Sequence, residues 1–565
     1  MYKKLSVKFL MSAVVSLAAA FVLQNGHASA ATITVTPDAV DQTINGNCSL
    51  YEAAEAASTN AAVDTCTAGS GADTIDVPDG TYVLDSNTAL SLSDGVLNGA
   101  SQADTIIDAN GTGLVFVGSG TITVTVQNLS IIDPYRAIDV SGQDVNITMD
   151  NVIIDGGANG PYIQSSANAT FTMTNSIIRN LSSASSGDYG LRLDGIATTV
   201  LDGVAIYGNN FSGTSFTGTA DIRSQDIIAS DVVVYDNEIA GGSFFALSGR
   251  TVDASGIVVR DNTSTSEGGA VFIVGSYDSG SFEADVTNVA VVRNEVPGGL
   301  VAGAFCDTSS ASCAVTMSNM TVAENTSLYT AIFLNNRDEH PMTGALQNVT
   351  IANNVRAGNT GGPTFSGGLL VVSDDGLGGA PTMTIQNVVL DNNLDETTPR
   401  NCVAASDPFF NLVSLGSNVS SDATCNSMFN QPSDLNSTDP LLDDLTEDNG
   451  TWVLPLLSGS PAINSGDTIG SILTDQRGTL RPQGSAYDRG AYEVLGASIP
   501  DPDPDPTGNG GGSGVNAGSG QAGTTPGVPN TGFLLLTNNP VAVLVLTSAC
   551  AGAILLLTKR ASRKS

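Results

Sequence analysis

Short apolar runs recur along the central part of the chain, and similar polar residues follow each run. The residue before each run is a Gly, Asn or Asp, and successive examples are 23 to 39 residues apart. These marker residues are Asn128, Asn151, Asn175, Gly203, Asp231, Gly256, Asn288, Asn319, Asn348 and Asn387. Within each unit, β-branched residues alternate with polar ones between turn formers, which predicts short strands rather than helices.

The regular return of this unit indicates a solenoid in which each unit forms one coil. The pattern predicts an all-β protein, a single-stranded right-handed parallel β-helix of about twelve coils that resembles the pectate-lyase type. Leucine-rich repeats have units of similar length, but the L-x-x-L-x-L frame is absent. We assign the β-helix repeats to residues 73–395.

An asparagine lies six positions after the marker in seven successive units. These residues are Asn209, Asn237, Asn262, Asn294, Asn325, Asn354 and Asn393. Asparagine tolerates left-handed backbone angles in turns, and stacked asparagines can hydrogen-bond as a ladder. A turn row, a side-chain ladder and a glycan-binding row are therefore the three interpretations of this pattern.

The two ends of a β-helix expose unpaired strand edges and need caps. Residues 31–72 form the predicted N-terminal cap, in which Ser49 and Glu52 make a capping box before an alanine-rich helix. Residues 396–497 form the predicted C-terminal cap. A linker follows at 498–527, first rich in Asp-Pro and then in Gly and Ser, which favours an extended stalk and a flexible tether.

Residues 1–30 have the features of a secretory signal peptide: basic residues, an apolar core at 9–23 and small residues before Ala31. Export would place the cysteines in an oxidising environment. Proximity suggests three disulfide pairs, although six cysteines allow other connectivities. The candidate pairs are Cys48–Cys66, Cys306–Cys313 and Cys402–Cys425.

The charge of the chain is strongly negative and unevenly distributed. The net charge is −36, and all five lysines lie in the first eight or last seven residues. Between residues 9 and 558, thirteen arginines stand against 56 acidic residues, which gives −43. Such a surface repels nucleic acid, and the middle region has no lysine that could act as a nucleophile.

The last 38 residues, 528–565, combine a short motif, an apolar block at 541–557 and a basic tail. The motif is Val528, Pro529, Asn530, Thr531 and Gly532. This arrangement resembles the LPxTG cell-wall sorting signal of monoderm bacteria, with Val528 where Leu is usual. The resemblance implies that sortase cuts after Thr531 and joins it to peptidoglycan on the cell surface. A permanent membrane anchor, with the apolar block as a transmembrane helix, is the alternative.

Two further resemblances concern the ends of the repeat region. "CSLYEA" at 48–53 is similar to the CSLREA motif of secreted bacterial β-helix proteins, with Tyr51 where Arg is usual. Residues 437–493 resemble the choice-of-anchor Q domain through "GSPAINSGD", "TDQRG" and "DRGAYE". Neither resemblance implies a reaction.

Candidates for catalysis or metal binding are few. Arg179, Arg260 and Arg293 follow apolar runs, and we interpret them as solvated turn residues. "DEH" at 338–340 and "SDDG" at 373–376 could hold calcium or take part in catalysis, but solvated loops are the simpler interpretation. We assign no catalytic residue and no metal ligand, and expect no cofactor, with calcium as the alternative.

These observations predict an exported, wall-anchored β-helix that acts as a non-catalytic adhesin. Its lateral surface would bind an unidentified glycan or protein. A surface polysaccharide lyase or glycoside hydrolase is the first alternative, and a structural wall-coat protein is the second. Converging Asp, Arg and aromatic side chains would favour the enzyme, whereas a flat Asn, Thr and Ser face would favour adhesion or a coat.

Overall fold

The computed structural model describes most of the chain between residues 30 and 496. The residues outside this description are 1–29, 117–119, 143, 166–167, 214–217, 266, 277, 279, 307–311, 337–341, 358–366, 374–381, 403–410 and 497–565.

One helix and 41 strands lie in the described residues, and the helix α1 spans Leu50–Thr59. The first fourteen strands are β1 Thr32–Thr34, β2 Asp73–Val77, β3 Gly80–Val83, β4 Leu90–Leu92, β5 Gly95–Gly99, β6 Thr105–Asp108, β7 Leu114–Phe116, β8 Ile122–Ile132, β9 Ile138–Ser141, β10 Val145–Asp155, β11 Pro161–Gln164, β12 Thr170–Thr174, β13 Ile177–Arg179 and β14 Ser182–Ser183. The next thirteen are β15 Tyr189–Asp202, β16 Ala205–Tyr207, β17 Asn210–Phe211, β18 Gly218–Ser230, β19 Val233–Tyr235, β20 Glu238–Ile239, β21 Ser243–Gly249, β22 Thr251–Arg260, β23 Thr263–Ser264, β24 Glu267–Ser276, β25 Ser281–Val292, β26 Glu295–Val296 and β27 Gly298–Cys306. The last fourteen are β28 Ser312–Ala323, β29 Thr326–Ser327, β30 Ile332–Asn336, β31 Met342–Ala352, β32 Val355–Arg356, β33 Leu369–Ser373, β34 Thr382–Gln386, β35 Val389–Asp391, β36 Leu394–Asp395, β37 Thr398–Pro399, β38 Asn411–Gly416, β39 Val419–Ser420, β40 Thr446–Asp448 and β41 Thr451–Val453.

The strands stack in parallel and form a right-handed parallel β-helix, which confirms the predicted fold class. The first face is a parallel stack of β1, β2, β5, β8, β10, β12, β15, β18, β22, β25, β28, β31, β34 and β38. The second face is built from β3, β6, the ends of β8 and β10, β13, β16, β19, the ends of β22, β25, β28 and β31, β35 and β39. The third face is built from β4, β7, β9, β11, the starts of β15 and β18, β21, β24, β27, β30 and β33.

Each coil bends at two left-handed residues. The ten marker residues turn the chain from the first face to the second, with φ between 49° and 66°. The second bend lies five positions after the marker, at residues such as Gly208, Asp261 and Arg293. The asparagine six positions after the marker was interpreted as the left-handed turn residue. This interpretation is wrong by one position, because the left-handed residue is the one before it.

Those asparagines instead form a buried ladder next to the core. From Asn209 to Asn354, each side-chain amide donates to the carboxamide oxygen of the next asparagine at 2.8–2.9 Å. The backbone N–H of each one donates to the same oxygen at 2.9–3.2 Å. Asn393 donates in turn to Asn401, a member that the sequence pattern did not identify. The ladder satisfies polar groups that would otherwise be buried without partners.

The N-terminal cap contains both predicted features. The Ser49 side chain accepts a hydrogen bond from the backbone N–H of Glu52, and Glu52 accepts one from that of Ser49. The alanine-rich face of α1 is buried and packs against β1, β2 and β4. The Cys48–Cys66 disulfide joins the two ends of this segment, and Cys306–Cys313 and Cys402–Cys425 are also paired. All three predicted disulfides are confirmed.

Residues 396–497, expected to cap the C-terminal end, have three different positions in the described part of the chain. Strands β38 and β39 continue the first and second faces beyond residue 395. Residues 421–437 follow the last coil, where Cys425, Met428 and Phe429 join the main core. Residues 439–496 lie along the outside of the second face.

Small outward side chains on the second face allow this lateral docking. Val292, Ala323 and Ala352 pack with Leu454 in a separate hydrophobic cluster. Polar contacts add to it: Thr321 donates to Gln476 at 2.6 Å, and the backbone N–H of Ala491 donates to Thr350 at 3.0 Å. The segment therefore covers one side of the rod.

Among residues 30–496 as described, no helix has the length and apolar character needed to cross a bilayer. The predicted apolar segments 9–23 and 541–557 and the sorting motif at 528–532 lie outside this part of the chain.

Candidate functional site

The outward-facing positions of the third face bring aromatic, basic and acidic side chains together. Alternate residues of a strand point to the same side of a sheet. Asp139, Tyr162, Arg192 and Asp221 are register partners on β9, β11, β15 and β18. We call these residues and their neighbours the open surface. Its members are Tyr135, Arg136, Asp139, Tyr162, Tyr189, Arg192, Asp194, Asp221 and Arg223.

Tyrosine rings and guanidinium groups alternate at the centre of the open surface. The Arg136 guanidinium carbon lies 4.0 Å from the centroid of the Tyr162 ring. The Arg192 guanidinium carbon lies 5.7 Å from Tyr162 and 4.8 Å from Tyr189. These distances are typical of cation–π contacts, which hold an arginine in place through the ring face.

The two ends of the open surface are internally paired. Arg136 bonds Asp139 at 3.0 Å, and Arg223 makes two 3.2 Å contacts with Asp221. Burial alone would lower the pKa of Arg223, but Asp221 outweighs it and the pKa is raised. These arginines have a carboxylate partner within the protein.

The centre has unused hydrogen-bonding groups. Among the described residues, Arg192 and the carboxylate of Asp194 have no hydrogen-bond or ion-pair partner. The hydroxyls of Tyr135, Tyr162 and Tyr189 likewise have no hydrogen-bond partner in the described part of the chain. Burial raises the pKa of the Tyr189 hydroxyl, so this group remains a neutral donor at physiological pH.

A glycine on the adjacent coil makes room for Tyr189. A Cβ atom at Gly218 would lie 3.0 Å from the Tyr189 ring, closer than side-chain atoms normally approach. The ring therefore packs directly on the backbone of β18. This contact holds Tyr189 beside Arg192.

A second row of the same residue types lies on the second face, and we call it the closed stack. Its members are Asp155, Arg179, Tyr207, Tyr235, Arg260, Asp261, Arg293 and Trp452. Arg179 donates to Asp155 at 2.7 and 2.9 Å and to the Tyr207 hydroxyl at 3.1 Å. The Tyr207 and Tyr235 rings stack with centroids 4.6 Å apart.

The closed stack continues to the C-terminal segment. The Arg260 guanidinium lies 4.3 Å from the Tyr235 centroid and bonds Asp261 at 2.6 Å. Asp261 also accepts two hydrogen bonds from Arg293, which lies 3.9 Å from the Trp452 ring. Although burial alone would raise the pKa of the Asp261 carboxyl, Arg293 and Arg260 hold it below its usual value. The stack thus joins six coils to β41.

The predicted site residues are placed as follows. The seven asparagines are at most 2% exposed and hydrogen-bonded to one another, which excludes a glycan-binding row. Arg179, Arg260 and Arg293 are half-buried members of the closed stack, so the interpretation as solvated turn residues is wrong.

The motif at 338–340 and residues 374–376 of "SDDG" lie outside the described residues. Within the described ranges, no group of three or more His, Cys, Asp or Glu side chains could hold a metal ion.

The open surface was not predicted from the sequence, although its residues recur in successive coils. The relevant stretches are "DPYRAID" at 133–139, "PYIQ" at 161–164, "DYGLRLD" at 188–194 and "ADIRS" at 220–224. In these stretches Tyr162, Arg192 and Arg223 alternate with buried apolar side chains, whereas Tyr189 and Asp221 are only 7% and 9% exposed. Aligning the third strand of each coil, in addition to the first two, would have revealed the row.

No family model matches the chain, and no curated protein matches its sequence. Three solved structures are similar in fold. A pectate lyase has 14% sequence identity over 83% of this chain and 97% of that chain, with TM-score 0.32. A mannuronan C-5 epimerase A-module from Azotobacter vinelandii has 14% identity over 68% and 98%, with TM-score 0.32. The catalytic domain of a GH87 alpha-1,3-glucanase has 15% identity over 61% and 64%, with TM-score 0.26.

Proposed function

We propose that the protein is a non-catalytic adhesin whose β-helix binds a polysaccharide along the open surface. The observation that carries this proposal is the centre of that surface, where Tyr162, Tyr189 and Arg192 lie together with unused hydrogen-bonding groups. Tyrosine rings offer flat apolar area with a polar edge, as ligand-binding surfaces often do. Arg192 and Asp194 supply donors and acceptors for sugar hydroxyls.

The arrangement along the rod supports an extended ligand. The four register partners from Asp139 to Asp221 lie on successive strands about 4.8 Å apart, so they span about 14 Å. A polymer lying parallel to the rod axis would contact all four positions. A compact ligand would contact only one or two.

The test is retention of the purified full-length protein on a panel of immobilised polysaccharides. We expect wild type to be retained by at least one polysaccharide and Tyr162→Ala to lose at least about tenfold in affinity, as expected for one aromatic contact. Tyr207→Ala is the matched control, because that tyrosine is already stacked inside the closed stack. Equal retention of both variants, or binding only to protein, would contradict the proposal.

A wall anchor is part of the same proposal. The motif at 528–532, the apolar block and the basic tail together support cleavage by sortase after Thr531 and attachment to peptidoglycan. Mass spectrometry of wall-released protein should find a C-terminus at Thr531 carrying a wall peptide. An intact tail would contradict cleavage, and Thr531→Ala provides the uncleaved control.

A polysaccharide lyase or hydrolase is the second candidate, and the observation that favours it lies on the first face. Asp285 is the register partner of Asp253 and shares its strand with Glu283. Burial and these two neighbours raise the pKa of the Asp285 carboxyl. A carboxyl with a raised pKa close to other carboxyls is the arrangement that glycosidases use for their general acid. New chain ends that disappear in Asp285→Asn would establish this function, while neither binding nor cleavage would favour the wall-coat role.

A further inference from the structure

The arginines of this acidic protein are almost all paired. Ten of the twelve described arginines form ion pairs with Asp or Glu. Arg489 is buried and donates to Ser465 and Asn418 instead. Arg192 alone among these twelve has neither a hydrogen bond nor an ion pair to the described residues. An unpaired guanidinium is conspicuous where acidic residues outnumber basic ones 56 to 20.

The surroundings of Arg192 hold its charge in place without using its N–H groups. Tyr162 and Tyr189 contact the guanidinium with their ring systems, at 5.7 and 4.8 Å. A guanidinium held by ring contacts rather than by hydrogen bonds keeps its N–H donors free to bond an oxyanion in a bidentate manner. The register partner of Arg192 on β18 is Asp221, and its carboxylate bonds Arg223 instead of Arg192.

The charge of the whole protein limits what can reach this arginine. A middle region with net charge −43 repels dense polyanions at long range. A single carboxylate or phosphate on an otherwise neutral polymer meets less of this repulsion than a dense polyanion does, because it carries fewer charges within the screening length of about 8 Å. Such a group can then bond Arg192 at contact distance.

We propose that Arg192 binds an anionic substituent, a carboxylate or a phosphate, that is carried sparsely on an otherwise neutral polysaccharide. This inference rests on the proposed glycan-binding function and adds the class of ligand. Tyr162 and Tyr189 are positioning residues that orient the guanidinium. The neutral sugar beside the substituent contacts the Tyr162 ring, because Tyr189 is only 7% exposed and packs on β18.

The experiment uses affinity electrophoresis of the full-length protein through gels containing soluble polysaccharides. The probes are dextran, β-glucan, mannan and xylan, each unmodified, sparsely carboxymethylated and sparsely phosphorylated, with polygalacturonate as a dense polyanion. We expect one sparsely substituted polymer to bind at least about tenfold more tightly than its neutral parent, as one charge-assisted bidentate contact provides. Comparing the carboxymethyl and phosphoryl derivatives identifies the preferred group.

Two variants assign this preference to Arg192. Arg192→Gln should abolish the difference between substituted and neutral polymer, and binding to the substituted polymer should fall more than binding to the neutral parent, which loses only one hydroxyl contact. Arg250→Gln is the matched control, because it removes the same charge from an arginine already bonded to Asp278. Arg192→Lys should restore only part of the preference, since lysine keeps the charge but lacks the planar fork.

Each remaining outcome contradicts a different statement. Equal binding of substituted and neutral polymers by wild type would overturn the role of Arg192 and leave the adhesin proposal intact. Tightest binding to polygalacturonate would overturn the preference for sparse charge. No binding to any of these polymers would overturn both proposals. An equal loss of preference in Arg250→Gln would show a general charge effect and overturn the assignment.

Discussion

The open surface and the closed stack are built from the same residue types on neighbouring faces of one β-helix. In the closed stack, Asp261 bonds both Arg260 and Arg293, and Trp452 from the C-terminal segment completes the row. In the open surface, Arg192 lies between tyrosine rings and has no carboxylate partner among the described residues. The two rows therefore differ in how many of their polar groups are already bonded within the protein.

This difference shows that composition alone does not identify a binding surface. A row of Tyr, Arg and Asp that satisfies its own hydrogen bonds contributes to stability and gains little from a ligand. When a ligand binds a row with unused donors and acceptors, only hydrogen bonds to water are lost and none within the protein is broken. The protein uses the first kind of row to dock its own C-terminal segment and leaves the second kind accessible.

The largest expected effect concerns the end of the closed stack. Trp452→Ala removes the ring that covers Arg293 and part of the cluster around Val292 and Leu454. We expect the free energy of unfolding to fall by about 2–3 kcal/mol, less than for a fully buried tryptophan. Urea denaturation measures this loss, and polysaccharide binding should not change. An unchanged midpoint would show that the lateral segment does not stabilise the rod.

Asp261→Asn tests the charge pairing within the closed stack. We expect a loss of about 1–2 kcal/mol at neutral pH, because both Arg260 and Arg293 lose an ionised acceptor. The pKa of Asp261 is lowered on folding, so its contribution is present above the usual value of 3.8 and is lost as pH falls through the folded-state pKa. Thermal melts of wild type and variant should converge in acid. A pH-independent difference would contradict this explanation.

A matched pair of hydroxyl deletions compares the two rows directly. Tyr207→Phe removes the hydroxyl that accepts from Arg179, which should reduce stability by about 1 kcal/mol. Tyr162→Phe removes a hydroxyl without a hydrogen-bond partner among the described residues, so stability should stay within about 0.5 kcal/mol. Differential scanning calorimetry of both variants gives the comparison. Equal losses would show that both rows are structural.

The smallest expected effect on stability comes from a substitution that gives Arg192 a carboxylate neighbour, as the arginines of the closed stack have. Tyr162→Asp places a carboxylate between Arg192 and Asp139 in register, so attraction to the first and repulsion from the second should leave the free energy of unfolding within about 0.5 kcal/mol of wild type. Polysaccharide binding should nevertheless be lost, because the ring is gone and Arg192 acquires a partner. Chemical denaturation and affinity electrophoresis together check this. Binding at the wild-type level would contradict the role of the open surface.

Much of the fold could be predicted because the repeats are local. The ten marker residues, of which Asn128 and Gly203 are examples, recur because each coil needs a left-handed bend that Gly and Asn adopt with least strain. The capping box at Ser49 and Glu52 also depends on residues close together in sequence. The second bend of each coil was predicted one position too late. It lies at residues such as Arg293 and Glu324, which adopt positive φ despite their low preference for it.

The site could be predicted only in part, because its members come from different coils. Arg179 and Arg192 have similar sequence surroundings, yet one is bonded to Asp155 and the other has no such partner among the described residues. The partners of Arg179, which are Asp155 and Tyr207, lie 24 and 28 residues away, and a one-residue change in register would exchange the inward and outward side chains. Only the observed register shows which arginine is satisfied.

The sequence by itself determined the parallel β-helix and the asparagine positions, because spacing and periodicity are properties of a single coil and its neighbours. It suggested the three disulfide pairs through proximity, and the structure established them. The tertiary structure alone decided that residues 439–496 lie on the second face and that Arg192 on the third face has no ion-pair partner among the described residues. Lateral docking depends on complementary shape between segments more than a hundred residues apart, as between Thr350 and Ala491. That complementarity exists only once the coils are stacked, since stacking turns separate outward side chains into a continuous surface.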